Sequence, residues 1–253
     1  MNPTEDLLEV KEVEGEGRGY FTLQQIRVGQ VILRACPFVS CVNDRYELIS
    51  CRVCIQPITH NSQPCKKCQR SVVCRQCLQS NLSDPHDSEC ASLTQLTLLE
   101  KERPDLADSL LGGTTAYLRL LLRLLANRTD YYSGRRPLGR VEGRPGPANS
   151  GLHGELEGCM DGVDDLEDHL DDILNDDEIE ARVYNTIKVA KLLVPSSHKA
   201  SHEIYAEYLG KLYCNSMTIG EAGIRSQLIQ RGYWSGVRGG LYTEYGIGLF
   251  PLG

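Results

Sequence analysis

The chain has 253 residues, 41% of them hydrophobic and 24% charged, enough for one large domain or two modest ones with a real core. No basic-then-apolar leader opens it, and the longest apolar run, Tyr117 to Ala126, is interrupted by Arg119 and Arg123 and is too short to span a bilayer, so a soluble intracellular protein of nucleus or cytoplasm is expected. The net charge of −7 arises in one segment, Glu155 to Glu180, with 13 acidic residues and no Lys or Arg; elsewhere 27 basic residues face 21 acidic ones without an aromatic-interleaved basic stripe, so direct nucleic-acid binding is not expected.

Residues 1–50 alternate and turn: Gly15, Gly17 and Gly19 lead into Tyr20-Phe21-Thr22, and after Gly29 comes Val31-Ile32-Leu33, a pattern that predicts two short strands. Residues 51–90 hold a cysteine cluster. Residues 91–130 predict helix, with Leu118, Leu121, Leu122 and Leu125 on one face for core packing and Thr114 or Thr115 as N-cap. Residues 131–177 mix a Gly/Pro/Arg stretch with the acidic block and predict a flexible, solvated insertion, because like charges repel and little apolar surface is available. Ile179, Val183, Ile187, Ala190 and Val194 mark a helical face ended by Pro195, a second helix follows from Ser201 to Tyr213, and short apolar pieces between glycines after Asn215 predict strands.

The cysteine cluster carries the chemistry. Cys51-x2-Cys54, Cys65-x2-Cys68, Cys74-x2-Cys77 and His86-x3-Cys90 are four close pairs, each spanning a tight turn that converges two donors on one side, half of a tetrahedral zinc shell. Four half-shells make two closed sites, and thiolate with imidazole suits zinc's borderline softness. A closed shell leaves no position for water, which points to structural zinc and away from zinc hydrolysis. Such a segment has few large apolar residues, so it needs a staple. Cys36, Cys41, Cys159 and Cys214 lack partners at ligand spacing and are expected to be small buried or incidental thiols, and His60 an exposed loop residue.

This ligand order, ending in His-x3-Cys, resembles the MYND zinc finger. Its flanks resemble a SET domain: Gly15-Glu-Gly-Arg-Gly-Tyr-Phe, Ile26-Arg-Val-Gly-Gln-Val-Ile-Leu-Arg and Pro37-Phe38 before the finger, Tyr213-Cys-Asn-Ser-Met-Thr-Ile and Gly246-Ile-Gly-Leu-Phe-Pro after the helices. Together they resemble the SET-and-MYND family of protein-lysine methyltransferases. The resemblance implies an α+β fold: small β-sheets of a split SET domain, N-terminal part in residues 1–50, a finger at 51–90, a helical insertion at 91–212 and the start of the SET core at 213–253.

In that family the zinc pairs interleave, so the resemblance implies one ion on Cys51, Cys54, Cys74 and Cys77 and another on Cys65, Cys68, His86 and Cys90. The x2 spacing of Cys74 and Cys77 departs from the x3 found in many MYND fingers. The implied activity is methyl transfer from S-adenosylmethionine to a lysine of a histone or other protein, with Gly17, Arg18, Gly19 and Asn215 carried over as cofactor contacts. The family's Asn-His-Ser-Cys motif and channel tyrosine have no match before Gly253, so this chain is expected to be inactive by itself. The alternative is a non-catalytic module whose finger docks proline-rich peptides of protein partners.

Overall fold

The computed structural model describes residues 7–14, 17–28, 30, 32, 37–58, 63–79, 86–134, 160–221 and 243–249. It is mixed helix and small sheet, compatible with the α+β expectation. Strands β1 (Leu8–Val13) and β2 (Gly17–Thr22) form an antiparallel hairpin in register from Leu8 opposite Thr22 to Val13 opposite Gly17. Of the second expected strand, Val31-Ile32-Leu33, Ile32 is in no strand, and Val31 and Leu33 lie outside the described residues. The strand that pairs with Tyr20-Phe21-Thr22, Leu-Glu-Val-Lys-Glu-Val, is hidden in the sequence by its charges.

A second sheet has the order β3-β5-β4, all antiparallel: β3 (Val39–Val42), β5 (Thr243–Leu249) and β4 (Ser216–Glu221). Cys41 lies opposite Ile247, and Ile247 opposite Thr218. Everything between β3 and β4, cysteine cluster and helices alike, is thus an insertion between strands of one sheet.

The expected helix over 91–130 is two helices: α2 (His86–Glu102) and α3 (Ala116–Tyr132). Their break holds Gly112 and Gly113, both at positive φ (72° and 64°), which end regular helix cheaply. In α3 the leucines bury more than one face: Leu118, Leu120, Leu121, Leu122, Leu124 and Leu125 are all within the core. A helix buried on every side belongs at the centre, and α3 packs on β3, on α2 and on the later helices α4 (Met160–Asp164), α6 (Asp177–Leu193) and α7 (His202–Asn215).

Helix α6 (Asp177–Leu193) begins with Asp176 as N-cap, its carboxylate accepting from the Glu178 and Ile179 amides at 2.9 and 3.1 Å, and ends before Pro195. Helix α7 (His202–Asn215) follows as expected and leads directly into β4. The acidic block departs from expectation. Residues 135–159 lie outside the described residues, but α4 (Met160–Asp164) and α5 (Leu170–Ile173) are ordered against the helices, with Met160, Val163 and Ile173 buried. Three apolar side chains on the inner face anchor a segment whose average composition is that of a solvated loop.

Candidate metal centre

The eight predicted ligands meet in two groups: Cys51, Cys54, Cys74 and Cys77, and Cys65, Cys68, His86 and Cys90, the donor atoms of each lying within 4.8 Å of one another. The interleaving implied by the family resemblance is the arrangement found. The Cys54 and Cys74 sulfurs are 3.9 Å apart, those of Cys65 and Cys90 3.7 Å, and Cys68 Sγ is 3.6 Å from His86 Nε2. A tetrahedron with zinc–sulfur bonds of about 2.3 Å and a zinc–nitrogen bond of about 2.0 Å has edges of about 3.8 Å between sulfurs and about 3.5 Å from sulfur to nitrogen. These separations and the donor chemistry fit two structural zinc ions.

Local backbone explains the convergence. The first two Cys-x2-Cys turns close with i to i+4 bonds, Ile55 N–H to Cys51 O at 2.8 Å and Gln69 N–H to Cys65 O at 2.9 Å. Each turns away through a left-handed residue just after its second cysteine, Ile55 at φ 60° and Gln69 at φ 59°. A β-branched residue there is strained by about 1–3 kcal/mol, and Ile55 compensates by burying its side chain almost completely. The last pair differs from the expected tight turn: His86 and Cys90 stand one helical turn apart at the start of α2, so i, i+4 spacing presents both donors on one face. Cys77 lies on the short helix α1 (Arg75–Gln79).

The sulfurs are prepared unequally. Hydrogen bonding from Cys54 holds the Cys51 thiol down at about 4, helped by the Cys74 amide, which donates to its sulfur at 3.3 Å. Burial pushes Cys68 and Cys77 each up to about 12. Without metal the clusters share protons among sulfurs, and a cation must displace them to bind.

Arginines that merely interrupt an apolar run in the sequence prove to join this centre to the body. Arg119 is buried in α3, donating to Glu47 Oε1 at 2.7 Å, Asp44 Oδ1 at 2.6 Å and the Val42 carbonyl at 2.6 Å. Arg70, two residues past Cys68, reaches the other oxygen of Glu47 at 2.8 Å through Nε and Glu100 at 2.5 Å. Arg123 pairs with Glu89, next to the ligand Cys90, and donates to the Ser40 carbonyl. Asp44 also accepts the Thr115 amide and both threonine hydroxyls at 2.7–2.8 Å, so a carboxylate distant in sequence caps α3 where Thr115 makes no side-chain cap of its own. Burial alone would raise the Asp44 carboxyl; Arg119 and the threonine donors outweigh it and hold it below the usual value.

The remaining predicted residues are spread out. Gly17, Arg18 and Gly19 sit in β2, paired with Val13, Glu12 and Lys11, and are ladder residues rather than a turn. Asn215 ends α7, its Nδ2 donating to the carbonyls of Glu167 and Lys211, both at 3.0 Å. Cys41 is a buried thiol donating to Ala116 O at 3.5 Å, raised to about 11 by burial, while Cys214 is exposed. Gly15, Cys36, His60 and Cys159 lie outside the described residues. No helix among the described residues is long and apolar enough to cross a membrane.

No family model matches the chain. It is similar to the histone-lysine N-methyltransferase ASHR1 of Arabidopsis thaliana, 31% identical over 121 residues, which is 48% of this chain. The chain spans 23% of that relative's length.

Proposed function

We propose that the chain is the finger-bearing portion of a SET-and-MYND protein-lysine methyltransferase, held by two structural zinc ions. The carrying observation is the pair of interleaved quartets inserted between strands of one sheet, supported by the similarity to a histone-lysine methyltransferase. Eight protein donors fill both tetrahedra, so zinc supplies rigidity and no step of the chemistry. S-adenosylmethionine would supply the methyl group. Gly17, Arg18 and Gly19 would contribute backbone, and Asn215, with its N–H groups committed to carbonyls, would offer Oδ1 as an acceptor to a ligand amine. Histones or other lysine-bearing proteins are the substrate class.

The test uses zinc-loaded protein in which this sequence is joined to a segment carrying the Asn-His-Ser-Cys motif and channel tyrosine, methyl-labelled S-adenosylmethionine and histones or cell lysate, with the chain by itself, expected to be inactive, as the control. Label on lysine that Asn215→Ala abolishes, with zinc content intact, supports the reading. Absence of lysine labelling by the joined protein, with both ions retained, would replace it with the docking reading. That second reading rests on Leu48, Ile49 and Leu78, which are 55%, 56% and 72% exposed around the zinc module and available to a proline-rich partner.

A further inference from the structure

Helix α7 contains a glycine in its interior, Gly210, at a position where helices pay for that residue in stability. Its reason lies across the helix: a Cβ built there would stand 2.5 Å from the Asp168 carbonyl oxygen and 3.0 Å from Asp168 Cβ. The segment Asp164–His169 therefore crosses α7 at a distance only glycine permits. It is fastened at one end by Asp164, whose carboxylate accepts from the hydroxyls of Tyr132 at 2.7 Å and Tyr208 at 3.3 Å. Lys211, almost wholly buried, gives its ammonium to the Asp164 carbonyl at 2.8 Å and to Glu207 at 2.7 Å. At the far end the chain leaves through His169 in the left-handed region at φ 49°, with the Leu170 amide on Asp168 Oδ1 at 3.0 Å. Between these fastenings Glu167 presents its carbonyl to Asn215 Nδ2 at 3.0 Å.

We propose that Asp164–His169 is a strap that sets the Asn215 amide, with Gly210 and Lys211 as the positioning residues that seat it. One N–H of Asn215 is held by its own helix at Lys211 O and the other by the strap, so the amide plane is fixed and Oδ1 is the acceptor the amide has to offer. This rests on the reading of Asn215 as a cofactor contact and deepens it: part of the acidic block becomes a structural element of the methyl-donor side.

The experiment compares zinc-loaded wild-type protein with Gly210→Ala, which pushes the strap away, and Lys211→Met, which removes its anchor but keeps an apolar stem. Hydrogen exchange of the Asn215 side-chain amide and of backbone 164–169 is followed by NMR, and S-adenosylmethionine binding by calorimetry. Both variants are expected to speed exchange at those sites by about tenfold or more while α3 stays protected, and to weaken cofactor binding about tenfold. Exchange at Asn215 unchanged in both variants would overturn the strap. Faster exchange in the variants, with wild-type protein that binds no S-adenosylmethionine, would overturn the cofactor role while upholding the strap's grip on Asn215.

Discussion

The zinc module and the helical body are neighbours built on opposite principles. Among the described residues of 51–79, the buried apolar side chains apart from cysteines are Ile55 and Val72. Helix α3 alone buries six leucines between Leu118 and Leu125. Burying a leucine stabilises by about 1.5–3 kcal/mol, so the body can hold itself together and the module must rely on metal. Where the two meet, His86 and Cys90 at the start of α2 carry one quartet into the body, and beside it runs a ladder of charges, Glu100, Arg70, Glu47, Arg119, Asp44, whose three middle members are buried. Such pairs add little net stability relative to apolar packing, but leaving one member alone is costly, so the ladder penalises misdocking more than it rewards docking.

Metal removal is the largest break in this contrast. Chelation is expected to abolish exchange protection in 51–79 while α3, α6 and α7 keep theirs, a loss on the order of 10 kcal/mol of apparent folding energy for the module. Metal analysis before chelation should give about two zinc per chain; one or none would undo the two-quartet assignment.

At the junction, Glu47→Ala takes the shared carboxylate from two buried guanidinium groups, leaving Arg119 to Asp44 and Arg70 to Glu100, and is expected to cost about 3–5 kcal/mol in denaturant melts. The body answers to packing: Leu124→Ala should cost about 2–5 kcal/mol without changing zinc content, and a change in zinc content would mean the regions are not separable. Smallest are the titrations. Asp44 is held below its usual 3.8, so its contribution is present above that pH and is lost as pH falls through the lower folded value. Burial raises Glu100 above 4.5, so its carboxylate opposes folding at neutral pH and the opposition is relieved as pH falls through the raised folded value. Carboxyl NMR titration should show the two moving in opposite directions from their ordinary values.

Much of the metal centre was legible because coordination chemistry constrains neighbours: two donors three or four residues apart announce themselves without knowledge of the fold. Helices α6 and α7 were legible by period, and Asp176, Pro195 and Ser201 mark their limits. The junction was not legible. Arg119 and Arg123 look like polar breaks in an apolar run, and their partners Glu47 and Glu89 are 72 and 34 residues away. The ordered part of the acidic block, strap included, escaped for a similar reason, since the flanking Met160, Val163 and Ile173 are diluted by the carboxylates around them. Strand β1 was masked by charge, and it is the strand that pairs with Tyr20-Phe21-Thr22.

The β3-β5-β4 sheet carries a consequence for how the chain acquires its shape. Cys41 and Ile247 are opposite one another across roughly two hundred intervening residues. The finger and the helices close over short sequence distances and can form early, whereas β3 must wait for β5. During synthesis β3 therefore emerges long before the strand that covers it, an unpaired edge that chaperones have reason to meet.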